Sequence, residues 1–313
     1  MRFEPTQDQQ DFASALDSLV AGSDPVGVAR SWAAGDHAPG RKLWTRLAEQ
    51  GVTTLATEAT PVEVAIAFEV LGRHAVPGPW VESAAYLPVA LGREVEVVAT
   101  VAAPPHTPYA LDADVADEVY LADAAGPTLV GADAVTTGDP RTSVDRARRL
   151  FEVRGAGTAE AATGEAFDLA ALATAAYLVG AGERVLADSV TYVKQRRQFG
   201  REIGSYQAIK HKLADVRIAL DFALPLVLGA AVGASDTAGG ADARARAVSA
   251  AKVMAGDAAY LAARTGLQVH GAIGYTQEFD LSIWLTKIRA LVTAWGTPAF
   301  HRARVLDTLT GGR

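Results

Sequence analysis

Residues Tyr192 to Ala214 read YVKQRRQFGREIGSYQAIKHKLA, and Gln268 to Glu278 read QVHGAIGYTQE. Each string closes one run of helically spaced apolar residues and interrupts it with glycine. Two further breaks fall at Asp236 to Ala241 and at Gly296-Thr297-Pro298. From about Ala166 onward these breaks divide a helical chain into stretches of about thirty residues, each about 45 Å long at 1.5 Å per residue. Four such helices predict an antiparallel bundle over 156–313.

Upstream the period changes. Between residues 93 and 155, β-branched and alternating runs such as Val95-Glu96-Val97-Val98 and Glu118-Val119-Tyr120-Leu121 are separated by Gly, Pro, Asp and Thr. They predict a small β domain, a compact barrel or half-sandwich. Residues 1–92 read as short helices. Thr6 starts one with Phe12, Leu16 and Leu19 on a single face, and Lys42 to Gln50 and Pro61 to Arg73 repeat the pattern. Val76-Pro77-Gly78-Pro79 then forces a turn. The expected fold is mainly α with a small β domain: an N-terminal helical domain, a short middle β domain and a C-terminal four-helix bundle.

The 313 residues suffice for two or three packed units. Hydrophobic content of 50% and charged content of 21% exclude a disordered chain. A net charge of −7 and a pI near 5.4 argue against a general nucleic-acid binder. The lack of cysteine removes disulfides, thiolate nucleophiles and zinc ribbons together. The first residues, MRFEPTQDQQ, lack the features of a signal peptide. The longest apolar run, Ala223 to Ala234, contains Pro225 and falls about eight residues short of a bilayer span. A soluble, cytoplasmic protein without a membrane span is expected.

At the two strings that open this reading, chemistry and plain structure compete. Arg196 ends a helix before Phe199-Gly200, where a guanidinium fork can grip a pyrophosphate and a ring can cover an adenine. Arg196 and Arg197 also suit a solvated helix end favoured by the helix dipole. Gln268, Gly271, Ala272 and Gly274 follow the same logic: glycines let backbone amides approach a diphosphate, and they equally make a helix cap and tight turn. His211 and His270 recur at no metal-ligand spacing, so both read as structural or solvated. No Gly-x-Ser-x-Gly elbow supplies a hydrolase nucleophile.

Together the two strings resemble the C-terminal signature segments of the acyl-CoA dehydrogenase family, flavoproteins with the same helical, β, helical order. Weaker likenesses lie at Phe68 to Arg73 with Pro77-Gly78-Pro79, at Ala116-Asp117 and at Gly296-Thr297. The resemblance implies that Arg196, Phe199, Gln268, Gly271 and Ala272, which stands where the family has a second glycine, contact the ADP half of FAD across a subunit interface. Thr297 is a further implied FAD contact, and its hydroxyl equally suits a cap of the next helix.

The same resemblance exposes departures. The family removes an acyl-CoA α-proton with a carboxylate while the β-hydrogen leaves as hydride to flavin. That base usually sits in a Tyr-Glu-Gly-Thr string, which here is Ala294-Trp295-Gly296-Thr297, and tryptophan accepts no proton. Some relatives place it on the first bundle helix, where Ala170 stands. Asp168 lies two residues away, about 200° around a helix, and is expected to point elsewhere. A positioned base is worth roughly 10² to 10⁴ in rate. The flavin-packing Gly-x-Lys-x-Trp-Ile-Thr string is also missing from 93–153, and the chain is abbreviated around Gly51 to Glu63. The resemblance therefore implies a short, base-lacking subunit that lends FAD contacts to a homologous full-length acyl-CoA dehydrogenase in an α2β2 heterotetramer. Acyl-CoA would sit mainly on that partner, with a separate electron acceptor and with bulky thioesters of steroid or fatty acid degradation as substrates. A self-sufficient flavoenzyme of the same fold with another base, and a flavin-free scaffold, are the alternatives.

Overall fold

A computed structural model describes residues 5–135, 140–141, 143–235 and 239–311. The N-terminal helices start where polar caps stand before apolar faces. Helix α1 (Gln7–Ala21) opens on a reciprocal box in which the Gln9 N–H donates to Thr6 Oγ1 at 3.3 Å and Gln9 Oε1 accepts from the Thr6 N–H at 2.9 Å. Helices α2 (Pro25–Ala33), α3 (Ala38–Glu49) and α4 (Leu55–Glu58) follow, then α5 (Pro61–Arg73), which repeats the box with Thr60 and Glu63. After the Pro-Gly-Pro turn the chain re-enters a helix, with a π-helical turn at Glu82–Tyr86 and then α6 (Leu87–Leu91). That second helical entry is not expected from the prolines.

The β segment forms two small sheets. Strand β1 (Ala99–Ala102) pairs in parallel with β3 (Glu118–Asp123), which pairs antiparallel with β4 (Gly126–Leu129). Strand β2 (Ala110–Leu111) pairs antiparallel with β5 (Leu150–Phe151). Among the described residues these sheets do not close into a barrel. Val95 to Val98, expected as a strand, is irregular chain with a bend at Val97, and β1 begins one residue later.

Helices α7 (Glu165–Gln195), α8 (Gln207–Ser235) and α9 (Gly240–His270) have 31, 29 and 31 residues, the expected length. The fourth bundle position is not one long helix. Two short ones fill it, α10 (Leu281–Leu291) and α11 (Pro298–Thr310). The cause is local: Trp295 and Gly296 both take left-handed backbone (φ 54° and 102°), and Thr297 then caps a helix that starts with Pro298. Of the α8–α9 loop, residues 236–238 lie outside the described residues, and Gly239 and Gly240 begin α9.

Helix α7 is the axis of the core. It is buried on nearly every face and packs against α5 and α9. Glycines set the α5–α7 spacing: a Cβ at Gly72 would meet the Tyr177 carbonyl at 2.0 Å, and one at Gly180 would meet the Glu69 carbonyl at 1.9 Å. One apolar core therefore runs from α1 through the bundle, with a separate small cluster under the sheets. Helices α7 and α8 are both long and apolar enough to cross a bilayer by length and composition. Pro225 does not shorten α8, which runs unbroken through it. The apolar stretch of α7 is 89% buried in the core, whereas that of α8 is 28% buried.

Candidate functional site

One end of the bundle gathers the two signature strings. At the last turn of α7, the Tyr192 ring stacks on His270 at the last turn of α9, with centroids 4.2 Å apart. His270 is buried between Tyr192 and Phe279, with Nδ1 2.8 Å from the Gly266 carbonyl, and burial lowers its pKa below the usual histidine value. It is a packing residue. Arg196 is the C-cap of α7, exposed, with extended backbone. The chain then makes a hairpin, β6 (Arg197–Gln198) against β7 (Arg201–Glu202), closed by Phe199 and Gly200. Both tip residues have positive φ, 50° and 82°, the mirror-image turn that favours Asn or Gly in its first position. A phenylalanine there is strained, and its ring is 91% exposed.

Across the same end, Gln268 is exposed on the last turn of α9, and its Oε1 accepts from Lys212 Nζ of α8 at 2.7 Å. Gly271 is the C-cap of α9 at φ 65°, and a Cβ added there would meet nothing within 4 Å. Conformation, not space, asks for glycine at this cap. Ala272 and Ile273 are exposed beside it. Thr297 lies in another part of the fold. Its Oγ1 accepts from the Phe300 N–H at 3.2 Å as the N-cap of α11, and among the described residues no hydrogen bond joins it to Arg196 or Gln268.

The expected base positions are closed. Trp295 is 1% exposed, its ring 4.7 Å from Tyr86 and 6.1 Å from Phe167, and its carbonyl accepts from His301 Nε2 at 2.9 Å. Ala170 is buried in α7. Asp168 is also buried, where it is ion-paired to Arg244 of α9 and Arg304 of α11. It thus locks three helices together and has no free oxygen for substrate. A carboxyl does approach Trp295 from the opposite direction. Glu82, buried in the π-helical turn, faces the indole N–H, which closes no hydrogen bond at normal distance. Burial raises the Glu82 pKa above the usual carboxylate range, with Arg148 opposing from a distance.

The acyl-CoA dehydrogenase C-terminal domain family matches residues 155–310. The acyl-CoA dehydrogenase IpdE2 of Mycolicibacterium smegmatis is 30% identical over 247 residues, 75% of each chain. The chain belongs to the acyl-CoA dehydrogenase family. IpdE2 of Mycobacterium tuberculosis is 28% identical over 314 residues, 90% of this chain and 91% of that one. A chain of the crystallised ChsE4-ChsE5 complex from Mycobacterium tuberculosis superposes with a TM-score of 0.79 at 21% identity, over 99% of both chains. Family membership supports oxidoreductase chemistry in general terms.

The family's flavin nucleotide can be tested against the donor set. The α7–α9 end offers a guanidinium, an ammonium, a side-chain amide and an exposed aromatic ring, which fits an adenine diphosphate. Two residues escape sequence reasoning, Lys212 at this end and Glu82 beside Trp295. Lys212 comes from a charge run that reads as solvated helix, and its partner Gln268 is 56 residues away. Glu82 lies just after a turn that signals the end of a helix. No group of three metal-ligating side chains occurs among the described residues.

Proposed function

We propose that this chain is the base-lacking subunit of a heteromeric, FAD-dependent acyl-CoA dehydrogenase and that its α7–α9 end holds the ADP half of FAD beside a homologous full-length partner. The exposed, left-handed Phe199 carries this reading. A strained aromatic ring held out in water fits a residue whose cover comes from outside the chain. Arg196 and Lys212 would neutralise the diphosphate, Gln268 would orient it, and the backbone at Gly271 and Ala272 would line its approach. Thr297, whose Oγ1 already caps α11, is the weaker contact. Bound FAD supplies the two-electron oxidant for α,β-desaturation of an acyl-CoA thioester. With Trp295 filling the place of the base, proton abstraction falls to the partner. A second observation favours a partner: Ile218, Phe222 and Leu226 form an exposed apolar stripe on α8 at helical spacing.

Co-expression with a full-length homologue tests the proposal. The expected product is an α2β2 complex that retains FAD and reduces a dye with acyl-CoA, while the chain alone is colourless. Arg196→Ala is expected to cut flavin content of the complex severalfold without dissolving it. A homo-oligomer of this chain with stoichiometric FAD and dehydrogenase activity would overturn the assignment. Glu82 beside Trp295 supports that rival, a self-sufficient enzyme with another base, and Glu82→Gln would then abolish the activity of the homo-oligomer.

A further inference from the structure

The middle of α8 leaves apolar surface in water. Only 28% of its apolar stretch is buried, Phe222 is 67% exposed, and exposed Ile218 and Leu226 stand four residues to either side of it. Helix α9, which packs along α8, exposes Met254 and Leu261. A contiguous patch of this kind marks a surface that another molecule covers. The ionic groups beside it are already paired: Arg217 holds Asp221 at 2.6 Å and also binds Glu183 of α7. The stripe can therefore be covered without stranding a charge.

The pattern selects the cover. Phe222 lies near the middle of α8, and His211, Asp215, Ile218, Leu226, Gly229 and Gly233 all project within about 40° of its direction at 100° per residue. A two-fold axis through Phe222 that reverses the helix sets Phe222 on Phe222, Ile218 on Leu226, Asp215 on Gly229 and His211 on Gly233 of a second copy. The larger polar side chains of one helix thus meet the small end of the other, and the space above Gly233 is empty to 4 Å in its own chain. Parallel pairing would instead set Asp215 against Asp215 and Asp221 against Asp221, which like-charge repulsion opposes. We infer that this face of α8 seats a second copy of the same chain, antiparallel, with Phe222 on the two-fold axis. The inference deepens the heteromeric reading and rests on it for one point: within an α2β2 assembly the stripe joins the two copies of this chain to each other.

Sedimentation equilibrium of the full chain without its partner is expected to show a dimer. Phe222→Asp acts twice across the axis and should weaken that dimer at least about a hundredfold, in protein whose helical circular dichroism matches wild type. Because the chain has no cysteine, a single introduced thiol reports the geometry. On mild oxidation with diamide, Phe222→Cys should give an interchain disulfide, since its two copies meet on the axis. Asp215→Cys should not, since fourteen residues of helix rise, about 21 Å, separate it from its own copy. A monomeric wild-type chain, a dimer that survives Phe222→Asp, or equal cross-linking at both positions would each overturn the inference. A monomer that sediments with phosphatidylcholine vesicles would give the stripe to a lipid surface, and one that assembles only with an added full-length homologue would give it to that partner; both overturn it. None of these measurements reads flavin, so their failure leaves the FAD assignment standing.

Discussion

At the scale of single residues, strain and burial make opposite demands. Phe199 holds a left-handed backbone that costs a non-glycine residue on the order of 1–3 kcal/mol, and its ring is almost free of contact. Phe199→Gly relieves that cost and adds about 0.5–1 kcal/mol of unfolded-chain entropy, so a net gain of about 1 kcal/mol is expected in urea unfolding of the chain. In the complex the same variant should lose flavin. A destabilised Phe199→Gly chain would mark Phe199 as a packing residue and remove the reason for proposing it as a nucleotide contact. Asp168→Asn has the reverse sign. It leaves Arg244 and Arg304 without their shared carboxylate. Because both arginines are partly solvated, the expected loss is at the low end for a broken buried pair, about 3 kcal/mol, measured by the same unfolding. The place of Arg196 at a helix end and of Phe199 in the turn after it was legible in sequence because their string is local and needs only its neighbours to make sense. Asp168 was legible only by elimination, since its two arginines lie 76 and 136 residues away. Glu82 was not legible, because a π-helical turn shifts side-chain register and defeats helical spacing.

At the scale of elements, backbone proximity decides outcomes that propensity would misjudge. Alanine gains about 1 kcal/mol over glycine inside a helix. At Gly256 in α9, where a Cβ would meet nothing within 4 Å, Gly256→Ala should realise about 0.5–1 kcal/mol of that gain. At Gly180 in α7 the same change drives a methyl into the Glu69 carbonyl at 1.9 Å, and backbone cannot swing aside as a side chain can. Overpacking of about 1–3 kcal/mol then outweighs propensity, so Gly180→Ala should unfold at lower temperature than wild type while Gly256→Ala unfolds at higher. Equal shifts in the two variants would mean that α5 and α7 are not held at this spacing. The three long helices were legible from periodicity and breaks. The β segment was less so: Val95 to Val98 has strand composition, yet the ladder goes to Ala99–Ala102, where parallel pairing with Glu118 to Leu121 is available. Tertiary partnership, not local alternation, chose the register. The divided fourth helix had its signal in Gly296-Thr297-Pro298, but its two short halves could not be sized without the Trp295 turn.

At the scale of the whole molecule, buried polar groups tie α9 to both short helices and make stability depend on pH. Lys252 of α9 donates to the Leu291 and Val292 carbonyls at 3.1 Å each and so caps α10, and burial lowers its pKa to about 7. His301 of α11 bridges Ser249 Oγ and the Trp295 carbonyl, and burial, then the Lys252 charge, lowers its pKa to about 3. Asp112 is raised to about 7 by burial. In acid these effects oppose one another. Between about 3 and 6.5 the unfolded chain binds a proton that His301 refuses, so stability falls as pH falls; between 3.8 and about 7 the folded chain holds a proton on Asp112, so stability rises as pH falls. Above neutrality the sign is clean. From about 7 to 10.5 the unfolded chain keeps a proton that folded Lys252 has released, so stability rises with pH across that window. No cysteine thiol titrates there, and the tyrosines raised by burial act only above their ordinary value of 10. Urea midpoints of the wild-type chain should therefore climb from pH 7 toward pH 10, and Lys252→Met, similar in shape and without the charge, should flatten the climb. A flat wild-type profile, or an undiminished slope in Lys252→Met, would show that the α10 cap is not held by a lysine that gives up its proton on folding.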